Sequence, residues 1–354
     1  MTDLAALRQT VEMPDTPVPV VIFGAGSIVS DAHLPAYRDL GVPIAGIYDP
    51  DFAKADALAA AWDTQAFATL EAAVDAGRVI YDLAVPPVAI PALLEALPDG
   101  ATAIIQKPLG SDLQQADAIM RILNRKGIHA AVNFQLRFAP MSLALKDAMA
   151  QGVLGDLVDF DATLALDTPW HLWAFLADLP RVEILLHSIH YLDFVRDILG
   201  NPSGIHAKTM GHPSSTVSNT RTSMMLDYGD TVRCALSINH NHGFGRKFQA
   251  CEFRICGTKG AAYMKLGVNL DYPNGEPDEL WLNTDGAWRQ VPLVGDWFIA
   301  AFHGRFAQVQ RFAAGLDPEL TGSARDAWHT MALVEAAYES SQNPMHAIKE
   351  APDA

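Results

Sequence analysis

Cysteine is scarce in this chain: 354 residues include three, Cys234, Cys251 and Cys256. They form neither an even set nor a Cys-x-x-Cys pair, which argues against a disulfide framework and a zinc ribbon. Core positions on strands are expected for them. Basic residues are also short, 25 Lys and Arg against 41 Asp and Glu, giving a formal net charge of −16. A surface of that sign repels phosphate backbones and anionic lipid. No nucleic acid and no membrane is therefore expected as a partner, and a neutral small molecule fits better than a polyanion. No apolar run approaches the ~18 residues of a membrane span, although 50% of the residues are hydrophobic. Met1 to Thr16 is polar and lacks the basic-then-apolar order of a secretory leader. A cytoplasmic protein with a loose N-terminal tail is the expectation. No internal repeat or low-complexity segment interrupts it.

What the chain does carry is an alternation of short apolar runs and helical patterns over its first third. Pro19 to Phe23 ends at glycine, and Leu34, Tyr37 and Leu40 follow at helical spacing. Strands are expected at Ile44–Tyr48, Val79–Val85, Ala103–Ile105 and His129–Asn133, with helices at Asp51–Trp62, Ile90–Ala96 and Leu113–Asn124. Strand and helix in turn imply a parallel sheet with helical crossovers. After residue 150 the pattern becomes one of longer alternating strands, with a helical segment around Glu183 to Leu199. About six strands are expected in an open antiparallel sheet, joined by turns such as Tyr228-Gly229-Asp230 and Gly257-Thr258-Lys259-Gly260. Trp297–Gly315 and Ala324–Ser341 read as closing amphipathic helices. The length suits two domains.

Gly24-Ala25-Gly26 is the first chemical signal. A dinucleotide needs a turn tight enough to bring a helix N-terminus onto its pyrophosphate, and glycines permit that approach. The third glycine of the G-x-G-x-x-G pattern is Val29, so the context has to carry the reading. Asp49 ends the next strand, where a carboxylate can hold ribose hydroxyls. Pro50 and Asp51 follow it with no adjacent arginine for a 2′-phosphate, which favours NAD over NADP. The alternative is a plain strand-to-helix turn of another α/β protein.

The glycine turn with His33 after it, Pro86-Pro87 at a strand end, Gln106-Lys107-Pro108, and His190-Tyr191-Leu192-Asp193 before Ile198-Leu199-Gly200 resemble the Gfo/Idh/MocA family of oxidoreductases. Asn133 to Pro140 is similar to its R-F-x-P segment, and Gly257 to Gly260 to its G-T-x-G turn. The resemblance implies an α/β protein with an N-terminal Rossmann domain, residues 17–132, and a C-terminal α+β domain, residues 133–354. The second domain would carry a large open, mostly antiparallel sheet used for homodimers or homotetramers. The helix at 324–341 is expected to pack back on the Rossmann domain. NAD would be held by Gly24, Gly26, Ser27, Ile28, Asp49 and Pro86, with Gln106, Lys107 and Asn133 nearer the reacting end. By the same resemblance His190 takes the hydroxyl proton, Lys107 assists, and His187 stands with them as a catalytic candidate. An imidazole suits the task because its ordinary pKa lies near 6.5, and an ammonium stabilises alkoxide character.

Substrate contacts are expected from Lys107, Arg137, Asp167, Trp170, His187 and His190. Each has a bland counterpart. A lysine at a strand edge serves solubility, and a lone histidine on an apolar segment is commonly a satisfied structural group. Trp170, His171 and Trp173 either stack on a sugar or fill the join between domains. Arg137 and Arg181 either hold a substrate carboxylate or pair with acidic neighbours. Asp193, one turn after His190, is placed to orient its ring or to cap a neighbour. No metal is expected: Asn239-His240-Asn241-His242 puts two histidines on one strand face, yet no third ligand stands at a recognisable spacing. A polar strand end near the cleft or a subunit interface is preferred there.

Two positions depart from the family pattern. Gln106 stands where a glutamate is usual, and Leu186 where an aspartate four residues before the histidine is frequent. The expected function is NAD-dependent oxidation of a hydroxyl of a sugar, polyol or sugar acid. The alternatives are epimerisation, elimination or glycoside cleavage through transient use of NAD, and a cofactor-binding regulator without chemistry.

Overall fold

The structure is a computed structural model describing residues 3–172, 174–271, 275–343 and 345. Five apolar runs of the first third form strands, β1 (Val20–Phe23), β2 (Ile44–Tyr48), β3 (Ile80–Leu83), β4 (Thr102–Ile105) and β5 (His129–Val132). Helices cover both sides of this sheet, so β1 and β3 are buried along their whole length. That is why they read as unbroken apolar runs. The helices are α1 (Leu34–Asp39), preceded by a π turn at Val29–His33, α2 (Phe52–Ala61), α3 (Leu70–Val74), α4 (Ile90–Ala96) and α5 (Leu113–Lys126). The signals that end α5 are local. Asp112 caps its first turn by accepting from the Gln115 N–H at 2.7 Å, Arg125 and Lys126 stand in its last turn, and Gly127 closes it at φ 63°.

All strand pairs in this sheet are parallel, in the order β2-β1-β3-β4-β5. From β1 the chain winds outward to β2, then crosses back to β3 on the other side. The crevice above the carboxyl ends of β1 and β3 is thus the topological switch point, where ligands of open α/β sheets bind. Gly24, Asp49, Pro86, Gln106, Lys107 and Asn133 all follow the carboxyl ends of these strands.

Helix α6 (Pro140–Ala150) leads into the second sheet, β6 (Leu157–Ala165), followed by α7 (Ile189–Leu199), β7 (Gly204–Met210), β8 (Arg221–Asp227), β9 (Arg233–Asn239), β10 (Ala250–Gly257), β11 (Ala261–Lys265), β12 (Glu279–Thr284) and β13 (Ala287–Gln290). Its order is β13-β12-β11-β10-β6-β9-β8-β7, antiparallel except for the β6 and β9 pair. Alternation of buried and exposed residues along β8 and β9 shows one face on the core and one open. Among the described residues eight strands replace the six expected from sequence. The two additional strands, β7 and β13, are the edges, whose partly exposed residues carry little periodic signal. Helix α6 also escaped the sequence reading, because it is apolar and buried over most of its first six residues and so shows no polar face. Cys234 and Cys251 are buried on strands, Cys256 is half-buried, and all three are free.

Two helices return to the first sheet. α8 (Ile299–Ala313) stacks Phe306 on Tyr37 at 4.1 Å, and α9 (Ala324–Gln342) ties Trp328 to Asp117 of α5 at 2.7 Å. The end of α9 also reaches β7, where Ser340 accepts from the Ala207 N–H at 2.9 Å. The N-terminal segment is not a loose tail. Leu7 is buried, and Gln9 both donates to the Pro292 carbonyl and accepts from the Val294 N–H, each at 2.9 Å. Among the described residues no helix is long and apolar enough to cross a membrane.

Gly24 bears the tightest backbone constraint at the crevice. It has φ 105°, and a Cβ there would fall inside the contact distance of the Ala84 carbonyl oxygen, across the β1 and β3 switch point. Gly24→Ala is expected to lose roughly 1–3 kcal/mol of stability. Denaturant unfolding checks this, and a loss within about 0.5 kcal/mol, the range of an ordinary surface change, would show that the turn is not constrained.

Candidate active site

The crevice is built from the glycine turn upward. The Gly24 N–H donates to the Tyr48 carbonyl at 2.7 Å, which pins the turn to β2. Asp49 completes the pin, accepting from the Ala25 N–H with Oδ2 and from the Asp51 N–H with Oδ1, each at 2.9 Å. Each carboxylate oxygen retains a second lone pair, so the stitch leaves capacity for ribose hydroxyls. Gly26 is exposed, with no atom within 4 Å of where its Cβ would stand. Ser27 is exposed and Ile28 half-buried at the start of the helical turn. Open space above a helix N-terminus is what a pyrophosphate requires. Val29, at the position of the missing third glycine, is fully buried and fills the core beneath. The turn therefore keeps the two glycines that face the ligand and fills the third site with packing.

Under the crevice lies a buried polar network. His33 Nδ1 stands 2.7 Å from Asp82 Oδ2, which also accepts from the Tyr37 hydroxyl at 2.9 Å. His33 Nε2 faces the amide nitrogens of Gln106 at 3.3 Å and Asn133 at 3.4 Å. The Gln106 amide orientation is fixed, because its Oε1 accepts from the Lys107 N–H at 2.8 Å. Two amide donors at Nε2 assign the proton of His33 to Nδ1, donated to Asp82. Asp82 was not singled out in the sequence. Its signal was a carboxylate inside an apolar strand, which demands a partner when buried.

Lys107 follows β4, displayed by Gln106 behind it and Pro108 ahead. Its ammonium crosses to the second half of the chain and donates to the Leu186 carbonyl oxygen at 2.8 Å. Burial lowers its pKa to about 8. The backbone, not the side chain, of residue 186 is the lysine's anchor, so leucine there leaves the anchor intact. His190, on the first turn of α7, is buried, with its Nδ1 unpartnered. Phe134 and Trp297 stand edge-on to its ring at centroid distances of 6.1 and 6.2 Å. Burial, and then the nearby Lys107 ammonium, hold its pKa well below the ordinary 6.5. His187, in the preceding π turn, is lowered in the same direction by burial and by His240, His190 and Lys107. The structure thus brings together the three residues expected to be catalytic: two histidines that stay neutral and one ammonium.

The remaining candidates fall in different surroundings. Arg137 is not free for substrate: its guanidinium is buried and makes a bidentate pair with Asp193, both bonds at 2.6 Å. Asp326 adds a contact at 2.7 Å and Asp197 one at 3.4 Å. Asp193 is thereby occupied, with Thr330 donating to it at 2.9 Å, and does not orient His190. Arg181 pairs with Glu335 through two bonds of 2.8 Å. Asp167 is exposed and bridges Asn241, and no described contact joins it to Lys107 or His190. Trp170 packs its ring 5.1 Å from that of His240, which places it at the His187 side of the site. His171 is exposed, and Trp173 lies outside the described residues. His240 and His242 do not share a strand face: β9 ends at Asn239, His240 is buried, and His242 turns to the Lys247 carbonyl at 3.0 Å.

An apolar cleft of about 940 Å³ runs beside this centre, between Pro86, Pro87 and Pro108 on one side and Leu179, Leu185 and Leu186 on the other. Neither Lys107 nor His190 lines it, but Pro108 and Leu186 place it against the lysine and its anchor.

Residues 18–134 match the oxidoreductase family with an NAD-binding Rossmann fold, and residues 142–263 match the GFO/IDH/MocA C-terminal domain. A D-apiose dehydrogenase of Paraburkholderia graminis is 24% identical over 336 residues, 91% of this chain and 87% of that protein. A second D-apiose dehydrogenase, from Rhizobium rhizogenes, is 25% identical over 284 residues, 76% of this chain and 79% of its own length. Among solved structures, an oxidoreductase from Agrobacterium radiobacter in complex with NAD+, L-tartaric acid and magnesium has the same fold. Its TM-score is 0.74 at 23% identity, over 93% of this chain and 97% of its own.

The Arg137 cluster separates a structural from a substrate role. Arg137→Met strips buried Asp193 of its bidentate cation and leaves it Arg196 at 3.9 Å, and a loss of roughly 3–5 kcal/mol in unfolding free energy is expected. A variant of unchanged stability that instead lost substrate affinity would restore the arginine as a substrate ligand.

Proposed function

Because this chain belongs to the Gfo/Idh/MocA family of NAD-binding oxidoreductases, we propose that it oxidises a hydroxyl of a sugar, polyol or sugar acid, with His190 as base and Lys107 assisting. The observation that carries this reading is a buried imidazole without a hydrogen-bond partner at Nδ1, beside a desolvated ammonium, above the carboxyl end of a parallel sheet. The open turn at Gly26, the pinned Asp49 and the strand-end residues Pro86, Gln106 and Asn133 would hold NAD, with Ser27 and Ile28 at the helix start. When bound, the nicotinamide supplies the hydride acceptor.

The chain's own residues account for the proton. His190, kept neutral by burial and by Lys107, accepts the hydroxyl proton at Nε2, the ring nitrogen that is not shut away from solvent as Nδ1 is. The Lys107 ammonium, held in place by the Leu186 carbonyl, stabilises the oxygen as it loses its proton. Phe134 and Trp297 keep water from the ring. His187 and Trp170 border the substrate side, and a sugar fits the names of the dehydrogenase relatives. Residues 17–132 would serve the cofactor and 133–354 the substrate, with the open face of the eight-stranded sheet joining two or four copies.

In a panel of aldoses, polyols and sugar acids read by NADH absorbance, His190→Ala should lower kcat by roughly 10²- to 10⁴-fold with NAD affinity unchanged. Full turnover in that variant would remove His190 as the base. The pH profile tests the lysine. Activity needs neutral His190 and charged Lys107, so it is present above the depressed histidine pKa and lost as pH rises through about 8. In Lys107→Arg the guanidinium stays charged and the alkaline limb should vanish from whatever activity remains; a limb near 8 that persists belongs to another group.

A further inference from the structure

Behind the catalytic candidates the fold gathers three metal-ligating side chains from distant parts of the sequence. Glu183 and His187 lie one turn apart in the π-helical segment Glu183–Ser188, and His240 follows the end of β9. Their ligand atoms lie within 4.8 Å of one another. Glu183 Oε1 and His240 Nε2 are 3.5 Å apart. Ligand atoms around a tetrahedral zinc-sized ion are separated by about 3.3 Å, from bonds of 2.0–2.1 Å. One edge of such a polyhedron is already formed, and the His187 ligand atom lies within 4.8 Å of both its ends.

The surroundings are those of a built site. Glu183 is completely buried, yet among its described contacts are the hydroxyls of Ser188 and Thr222 and the His240 ring, with no lysine or arginine. A buried carboxylate needs a compensating charge. His240 Nε2 and His187 Nδ1 are both buried without a hydrogen-bond partner. The other nitrogen of His240 is held by the Thr168 hydroxyl at 2.7 Å. A hydrogen bond on the outer nitrogen, which fixes the ring so that Nε2 points inward, is the usual support of a metal-bound histidine, and the Thr168 hydroxyl supplies it here.

We propose that Glu183, His187 and His240 bind a divalent first-row transition ion of the zinc class. Two imidazoles and one carboxylate are a recurrent donor set for zinc and its neighbours, and three protein ligands leave a fourth position open to water or a substrate oxygen. The ion neutralises Glu183 and fills the gap between two nitrogens that otherwise face each other's surroundings unsatisfied. It also places a Lewis-acidic centre on the ligand His187, one helical turn from His190. The site is independent of the dehydrogenase reading, since it can be measured without turnover.

The test uses the full-length protein, stripped with a chelator, titrated with ZnCl2 by calorimetry and with CoCl2 by visible absorption. One ion per chain is expected, with Co(II) d–d bands of a low-coordinate nitrogen and oxygen site. His240→Ala and Glu183→Gln should each weaken zinc binding at least tenfold, and Thr168→Val, which leaves all three ligands in place, by about tenfold. His242→Ala, outside the cluster, should bind as the parent does. If His240→Ala does not fold, the Thr168→Val titration decides. Absence of binding by the parent protein, or binding unaffected by Thr168→Val and Glu183→Gln, would overturn the site and leave Glu183 and His240 as a buried polar contact.

Discussion

The site depends on one hydrogen bond, from the Lys107 ammonium at the end of β4 to the Leu186 carbonyl oxygen at 2.8 Å. It joins the parallel sheet to the helical segment that carries both histidines. An ammonium removed from water is costly, and a single neutral carbonyl compensates it in part. The residual cost appears as the depressed lysine pKa. Burial first, and then the same unneutralised charge, keep a proton off His190; at His187 burial, His240 and His190 act before the lysine does. Desolvation thus sets the protonation state of both histidines, and the buried cation reinforces it.

That arrangement needs rigid backing, and the chain supplies it from two sides. Beneath the crevice, His33, Asp82, Gln106 and Asn133 form a network among residues that follow or belong to strands β3 to β5 and the turn after β1. Behind α7, Arg137 is bound by Asp193, Asp197 and Asp326, which ties that helix to the R-F-x-P segment and to α9. Paired and hydrogen-bonded in this way, the buried charges hold geometry whether or not they add net stability. Asp193 and His190 share a helix but serve these two different ends.

How much of this was legible follows from the range over which each signal acts. The glycine turn, Asp49 and the Lys107-Pro108 step depend on neighbouring residues and strand ends, and they were readable. Edge strands β7 and β13 and the buried helix α6 were not, because hydrophobic periodicity exists only where an element has one wet and one dry face. Arg137 was readable as a cation but not as a committed one, since its partners lie 56 to 189 positions away. His240 joins Glu183 only through the pairing that places β9 beside β8 and β6. No local spacing encodes such a meeting, so a search for metal-ligand motifs along the chain passes over it.

The two departures from the family pattern act on the same group and in the same direction. A glutamate at 106 would set a carboxylate on the backbone N–H of Lys107 and beside His33, and an aspartate at 186 would add a second negative charge near the carbonyl that anchors the ammonium. Either charge would favour the protonated lysine and raise its pKa. Gln106 keeps the hydrogen bonds to Lys107 and His33 without the charge, and Leu186 keeps the backbone acceptor without a side-chain carboxylate. With both charges gone, burial dominates and brings the lysine close to neutral pH. Gln106 and Leu186 therefore leave the contacts of Lys107 in place, with burial as the cause that lowers its pKa.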